Sequence, residues 1–281
     1  MLRKELGEGE PQTRHLVVAV MGVPGCGKTT FLGSLRECGF ATIGEIDVKK
    51  IKSFQQYYQE GENPSVTFRT QVEFLLEKYW RIKGSSKRHF KGVEEIARKE
   101  PVAIEPPPWS DKIFGTARLE GDPVFLDLYL GVFDTLFPEE GSFKPDLVVY
   151  LRLSLEKMLK RIEDRAKECP ERGVELQESP EYWRRVWELH EEWVSKNRDS
   201  QEIITINGDL LDFSRFYTKE VGKEALTREF LAQTRYACID PLTGRQKIPA
   251  EIIIPPSIVN YRPDPTAYDD TVPGLETRYK L

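Results

Sequence analysis

The chain has 281 residues, enough for one large domain or a domain with an appendage, and its balance of 39% hydrophobic to 31% charged residues is that of an ordinary globular protein. A formal net charge of −5 argues against non-specific nucleic-acid binding by the whole surface, so any anion site must come from local clusters of Lys and Arg. No apolar run approaches the length of a membrane span, and Cys26, Cys38, Cys169 and Cys238 form no C-x-x-C pair, so neither a zinc site nor a disulfide framework is suggested. Scattered thiols without a signal peptide lead to the expectation of a cytoplasmic protein.

Residues 1–14 are polar and patternless and read as a flexible N-terminal extension. A buried parallel strand is predicted over Leu16–Met21, an apolar run rich in valine. It runs into Gly22–Thr29, GVPGCGKT, a full match to G-x-x-x-x-G-K-[ST], and then into Phe31, Leu32 and Leu35 at helical spacing. Strand, glycine loop and helix come in the order a phosphate cradle requires. Glycines let the loop turn tightly with its N–H groups inward, and the new helix adds the positive end of its dipole. Gly22, Gly25, Cys26, Gly27, Lys28, Thr29 and Thr30 are therefore the candidate ATP-binding residues. Lys28 is placed to follow the migrating phosphate and Thr29 to ligate Mg²⁺.

A short strand, Ala41–Ile43, ends at Glu45 and Asp47, and ligands of open parallel sheets bind beyond the carboxyl ends of strands. A carboxylate there serves as a base for an acceptor hydroxyl, or alternatively caps the next helix. Residues 48–60 read as helical, Gly61–Pro64 as a break, and Val66–Lys83 as a long helix. Gln71 and Lys78 lie seven apart on one face of it, as site residues or as solvated surface. A strand over Val102–Ile104 delivers Glu105 to the nucleotide cleft, as a group for Mg²⁺ water or as a solvated loop acid. The prolines at 106–108 predict a rigid, extended run through Asp111.

Asp122–Phe137 reads as a helix with two apolar stripes, Val124, Leu128, Val132 and Leu136 beside Phe125, Tyr129 and Phe133. Such a helix is deeply buried or packs on another subunit. A strand over Leu147–Leu151 precedes a helix from Leu155 to about Lys167, capped by Ser154. Arg161 and Arg165 share a face of that helix, as a cationic lid over a transferring phosphate or as surface ion pairs. Cys169–Ser179 reads as a mobile flap, Pro180–Lys196 as an amphipathic helix whose tryptophans pack, and Ile203–Ile206 as the last strand, followed by Asn207, Gly208 and Asp209. One more helix is expected over Glu224–Arg235, closing a domain of residues 15–237. Residues 238–281 hold seven of the 19 prolines and read as an extended arm.

These motifs, in this order, resemble the deoxynucleoside kinases of the deoxycytidine and deoxyguanosine type over roughly residues 15–213. The resemblance implies an α/β, P-loop three-layer sandwich with a parallel sheet flanked by helices, and a homodimer built on the helix at 122–137. It implies transfer of the γ-phosphoryl of ATP, with Mg²⁺, to the hydroxyl of a nucleoside or similar small molecule, with no nucleic-acid or membrane partner. Glu45 stands at the family's catalytic base, Gln71 at its base-pairing glutamine, and Lys78 where many members carry an arginine. Glu105–Phe114, EPPPWSDKIF, resembles the Glu-Arg-Ser-x-Tyr-Ser-Asp-Arg-x-Phe segment, which makes Asp111 a base-reading acid. Arg161 and Arg165 align with the lid, and Asp209 falls where the family wraps the donor adenine. The family's arginine and serine after the acid are Pro106 and Pro107 here, so a cation from elsewhere must serve the acceptor side, with Lys112, Arg118 and Arg172 as candidates. Two other readings share the P-loop: a nucleoside monophosphate kinase of thymidylate type, and a nucleotide-binding module without catalysis.

Overall fold

A computed structural model describes residues 15–209 apart from 38, 61–62, 86–90, 139–142, 169–174 and 177. The predicted helix over 224–235, the arm at 238–281, the N-terminal extension and Arg172 lie outside these residues. Five strands, β1 (Val17–Met21), β2 (Ala41–Ile43), β3 (Val102–Ile104), β4 (Leu147–Arg152) and β5 (Ile203–Asn207), form one sheet in the order β2-β3-β1-β4-β5. Every pairing is parallel, so each connection crosses over through helices that cover the sheet. All of β1 and β3 is buried, which explains why these strands read as continuous apolar runs instead of alternating ones. The reversal of strand order at β1 opens a crevice beyond its carboxyl end, where the glycine loop lies. Asp146 fixes the register at the opposite end by accepting the Val17 N–H at 2.8 Å.

The helices are α1 (Lys28–Glu37), α2 (Phe54–Gln59), α3 (Pro64–Lys83), α4 (Val93–Ala97), α5 (Pro108–Leu119), α6 (Pro123–Leu136), α7 (Leu155–Glu168) and α8 (Pro180–Asn197). Capping sets several starts. Asn63 accepts the Ser65 N–H before α3, Asp122 the Phe125 N–H before α6, and Ser179 the Tyr182 N–H before α8.

Helix α5 departs from the sequence expectation of an extended run through Asp111. Only Pro106 and Pro107 stay outside the helix, and Pro108 takes its first turn, where the missing N–H would be unpaired in any case. Helix α6 separates its two apolar stripes. Tyr129 and Phe133 are buried, while Val124 and Leu128 remain 68% and 53% exposed. Tyr129 packs against Gly115 of α5 so closely that a β-carbon there would meet its ring at 2.3 Å. Trp109 of α5 stacks on Trp193 of α8 at 4.8 Å between ring centres, and Trp187 donates to the Leu153 carbonyl at 2.8 Å, so these α8 tryptophans pack. No helix among the described residues is long and apolar enough to cross a membrane.

Candidate active site

The phosphate loop leaves β1 through Gly22, Gly25 and Gly27, with φ of 150°, 76° and 92°. At Gly25 the left-handed backbone and a neighbour, the Arg161 β-carbon 3.0 Å from any added methyl, both demand glycine. Lys28, Thr29 and Thr30 open α1. The Lys28 ammonium donates to the carbonyls of Gly22 at 2.9 Å and Val23 at 3.1 Å, so the loop itself centres the charge. Cys26 is wholly buried, and burial pushes its thiol up, so it stays a neutral packing group.

Thr29 and Glu105, which the sequence assigns to the same cleft, meet side chain to side chain. The Thr29 hydroxyl donates to Glu105 Oε1 at 3.4 Å, and Glu105 Oε2 is buried with no hydrogen-bond partner. Burial raises the Glu105 pKa, opposed by the nearby Lys28 charge. A hydroxyl and a buried carboxylate with an orphaned oxygen, beside a phosphate loop, are oxygen donors of the kind Mg²⁺ takes when substrate phosphates and water complete its shell. Among the described residues no group of three or more His, Cys, Asp or Glu could hold an ion by itself.

On the other side of Glu105 lies a buried polar cluster. Lys78, only 1% exposed, donates to the Pro106 carbonyl at 2.5 Å and lies 3.9 Å from Asp111 Oδ2. Burial lowers the Lys78 pKa and raises that of Asp111 to about 6, and each opposes the other's shift. Gln71 is also buried on α3, so the face holding Gln71 and Lys78 turns inward, away from solvent. Glu45, at the exposed end of the β2 loop, is close enough to raise the pKa values of both Glu105 and Asp111. Asp47 is exposed, and its carbonyl accepts the Lys50 N–H. Glu45, Lys78, Glu105 and Asp111 thus come from three separate segments to one side of the phosphate loop.

On the other side stand Arg161 and Arg165. Arg161 donates to the Gly25 carbonyl at 3.0 Å and to the Gly208 carbonyl at 3.2 Å, joining the phosphate loop to the end of β5. Arg165 is ion-paired with Glu175. The Asp209 carboxylate caps α7, accepting the Ser154 N–H at 3.1 Å. What this corner turns toward Arg161 is therefore the Gly208 backbone.

A family model described as deoxynucleoside kinase matches residues 18–230. The chain belongs to the deoxynucleoside kinase family. It is 28% identical to the deoxyadenosine/deoxycytidine kinase of Bacillus subtilis over 184 residues, which is 65% of this chain and 78% of that protein. It is 26% identical to the deoxyguanosine kinase of the same organism over 200 residues, 70% of this chain and 88% of the other. Its fold is similar to that of deoxyadenosine kinase from M. mycoides, solved with bound dCTP (TM-score 0.56, 19% identity, 78% of this chain and 100% of the other) and with bound dATP (TM-score 0.57, 21% identity, 78% and 98%).

As a deoxynucleoside kinase, this chain transfers a phosphoryl group from a nucleoside triphosphate to a nucleoside. Pro106 follows the acid at the end of β3, and neither Lys112 nor Arg118 stands free to serve there. Lys112 pairs with Asp134 at 3.2 Å toward the surface, and Arg118 pairs with Glu178 and lies over the Tyr182 ring at 3.9 Å. The sequence reading also passes over Arg81, which donates to the carbonyls of Gly44 and Glu45. Its signal was its spacing, one turn past Lys78 on the inward face of α3.

Proposed function

We propose that this kinase phosphorylates the hydroxyl of a 2′-deoxynucleoside with ATP and Mg²⁺, using Glu45 as the base. The observation that carries the reading is the convergence of Glu45, Glu105, Lys78 and Asp111 beside the Thr29 end of the phosphate loop. Relatives named for deoxyadenosine, deoxycytidine and deoxyguanosine support the acceptor class.

The loop amides and Lys28 hold the β- and γ-phosphates, and Arg161 and Arg165 supply positive charge to the transferring group when the lid closes on it. Bound Mg²⁺, for which Thr29 and Glu105 are the fitting residues, would neutralise charge on the phosphate oxygens. Glu45 accepts the proton of the acceptor hydroxyl as that oxygen bonds to phosphorus and the bond to the leaving diphosphate breaks. Asp111, Lys78 and Gln71 offer both acceptors and donors to the edge of a nucleobase, and the turn through Gly208 and Asp209 is assigned to the donor base. An acceptor that is itself a phosphate is disfavoured, because the acceptor side is lined by carboxylates where such a substrate needs arginines. The exposed apolar face of α6, with a groove lined by Leu128, Val132 and Leu136, supports a homodimer.

The test is a screen of deoxynucleosides, ribonucleosides and nucleoside monophosphates with ATP and Mg²⁺, in parallel with Glu45→Gln and Lys28→Ala. Turnover of a deoxynucleoside is expected, with kcat down by about 10²-fold or more in Glu45→Gln at unchanged ATP affinity. Lys28→Ala is expected to abolish turnover and weaken ATP binding. Preference for a monophosphate, or an unaffected Glu45→Gln, overturns the assignment.

A further inference from the structure

Arg81 sits in the last turn of α3, on the side facing the loop that leaves β2. Its Nη1 donates to two successive carbonyls, those of Gly44 at 2.9 Å and Glu45 at 3.2 Å. Its Nε lies 3.6 Å from Glu77 Oε1, and the two side chains are 12% and 8% exposed. A guanidinium that makes these contacts while almost buried is locked in one rotamer, which a surface arginine of a helix end is not.

The loop it grips has two further anchors. The Ile43 carbonyl accepts the Glu105 N–H at 2.8 Å, and the Ile46 side chain is 5% exposed. The carbonyls of three consecutive residues, 43 to 45, are therefore bonded outward to β3 and α3. The backbone of Glu45 cannot rotate without breaking contacts on both sides. Its charge lies close to those of Glu105, Asp111 and Lys78. Lys78, one residue past Glu77 on the same helix, touches the Pro106 carbonyl. One rigid helix thereby sets the distance between the loop that bears Glu45 and the strand end that bears Glu105.

We infer that Arg81 is a positioning residue, which fixes the backbone of Glu45 so that its carboxylate meets the acceptor hydroxyl. The inference rests on Glu45 being the base. A reacting group misplaced by about an ångström can cost up to ~10²-fold in rate, so the grip on two carbonyls is worth a measurable part of kcat. A lysine at 81 has a compact ammonium in place of the planar fork and would hold the loop less firmly.

The test is a cycle of wild type, Arg81→Ala, Glu45→Gln and the double variant, assayed with ATP, Mg²⁺ and whichever of deoxyadenosine, deoxycytidine and deoxyguanosine turns over fastest. Arg81→Ala is expected to lower kcat about tenfold while KM for ATP stays within about twofold, and to change kcat by less than about twofold once Glu45 is already Gln, because residues that act as a unit are not additive. Arg81→Lys is expected to recover part of the rate, and it carries the same cycle if the alanine variant does not fold. Equal losses from Arg81→Ala in both backgrounds, or a loss that appears in KM for ATP, overturn the positioning role and leave Glu45 untouched. A Glu45→Gln enzyme with the wild-type kcat instead removes the base assignment, and this inference with it.

Discussion

The Lys78 ammonium donates to the carbonyl oxygen of Pro106 at 2.5 Å. Pro106, which has no side-chain donor of its own, is thus met through its backbone by a cation from helix α3. That cation is buried with Asp111 and Glu105 around it, so it balances carboxylates that would otherwise stand uncompensated.

Lys78→Met is therefore expected to destabilise the fold by about 3 kcal/mol, the loss typical of removing one partner from a buried ion pair. Adding Asp111→Asn should restore part of it, since the orphaned acid is then neutral. Urea unfolding of the two single variants and the double variant measures this. A Lys78→Met protein within about 1 kcal/mol of wild type would show that the cluster is open to water.

Asp111 titrates near 6 in the folded chain, above its ordinary 3.8, because burial disfavours the charged form. The folded state holds this proton more tightly, so the contribution of Asp111 to stability is fully present below 3.8 and is lost as pH rises through about 6. His190 works the opposite way. Burial lowers it to about 4, so its contribution is lost as pH falls through that value. The difference between wild type and Asp111→Asn cancels the histidine. Between pH 4 and 7, wild-type stability should fall relative to the variant as pH rises, read by denaturation at each pH. A pH-independent difference would place Asp111 in contact with solvent.

Gly115→Ala tests the seam between α5 and α6. Alanine favours a helix over glycine by about 1 kcal/mol, but a methyl 2.3 Å from the Tyr129 ring cannot be accommodated without a shift. The tyrosine hydroxyl also donates to the Asp111 carbonyl at 2.7 Å, so the shift reaches the cluster. A net loss of about 2 kcal/mol and a raised KM for the acceptor are expected. A stabilised variant with unchanged kinetics would mean that α6 yields freely.

Leu128→Glu places a charge on the exposed apolar face of α6. Sedimentation at micromolar concentration should find a dimer for the wild type and a folded monomer for the variant. A wild-type monomer would count against the proposed assembly.

Much of the site was legible because its chemistry is local. The phosphate loop needs a strand, three glycines, a lysine and a threonine in sequence, and all are contiguous at 16–30. Strand ends were legible for a related reason. In a parallel sheet every strand delivers its last residues to the same edge, so Glu45 and Glu105 could be placed there without coordinates. The start of α5 was not, because prolines usually end helices and only position in the first turn makes one compatible. Arg118 is a second example. Its partners, Glu178 and the rings of Tyr57 and Tyr182, come from distant segments that no spacing along α5 reveals.

The sequence by itself determined the phosphate loop, the parallel sheet and the family, because periodicity and motif order are properties of adjacent residues. Only the tertiary structure decided that Lys78 is buried with Asp111 against Pro106, and that Arg81 grips the loop of Glu45. A lysine or arginine on a helix carries the same local signal whether it faces water or a carboxylate. The choice is made by which elements pack on that face, and the desolvation of a charge is tolerated only where the packing brings it a partner.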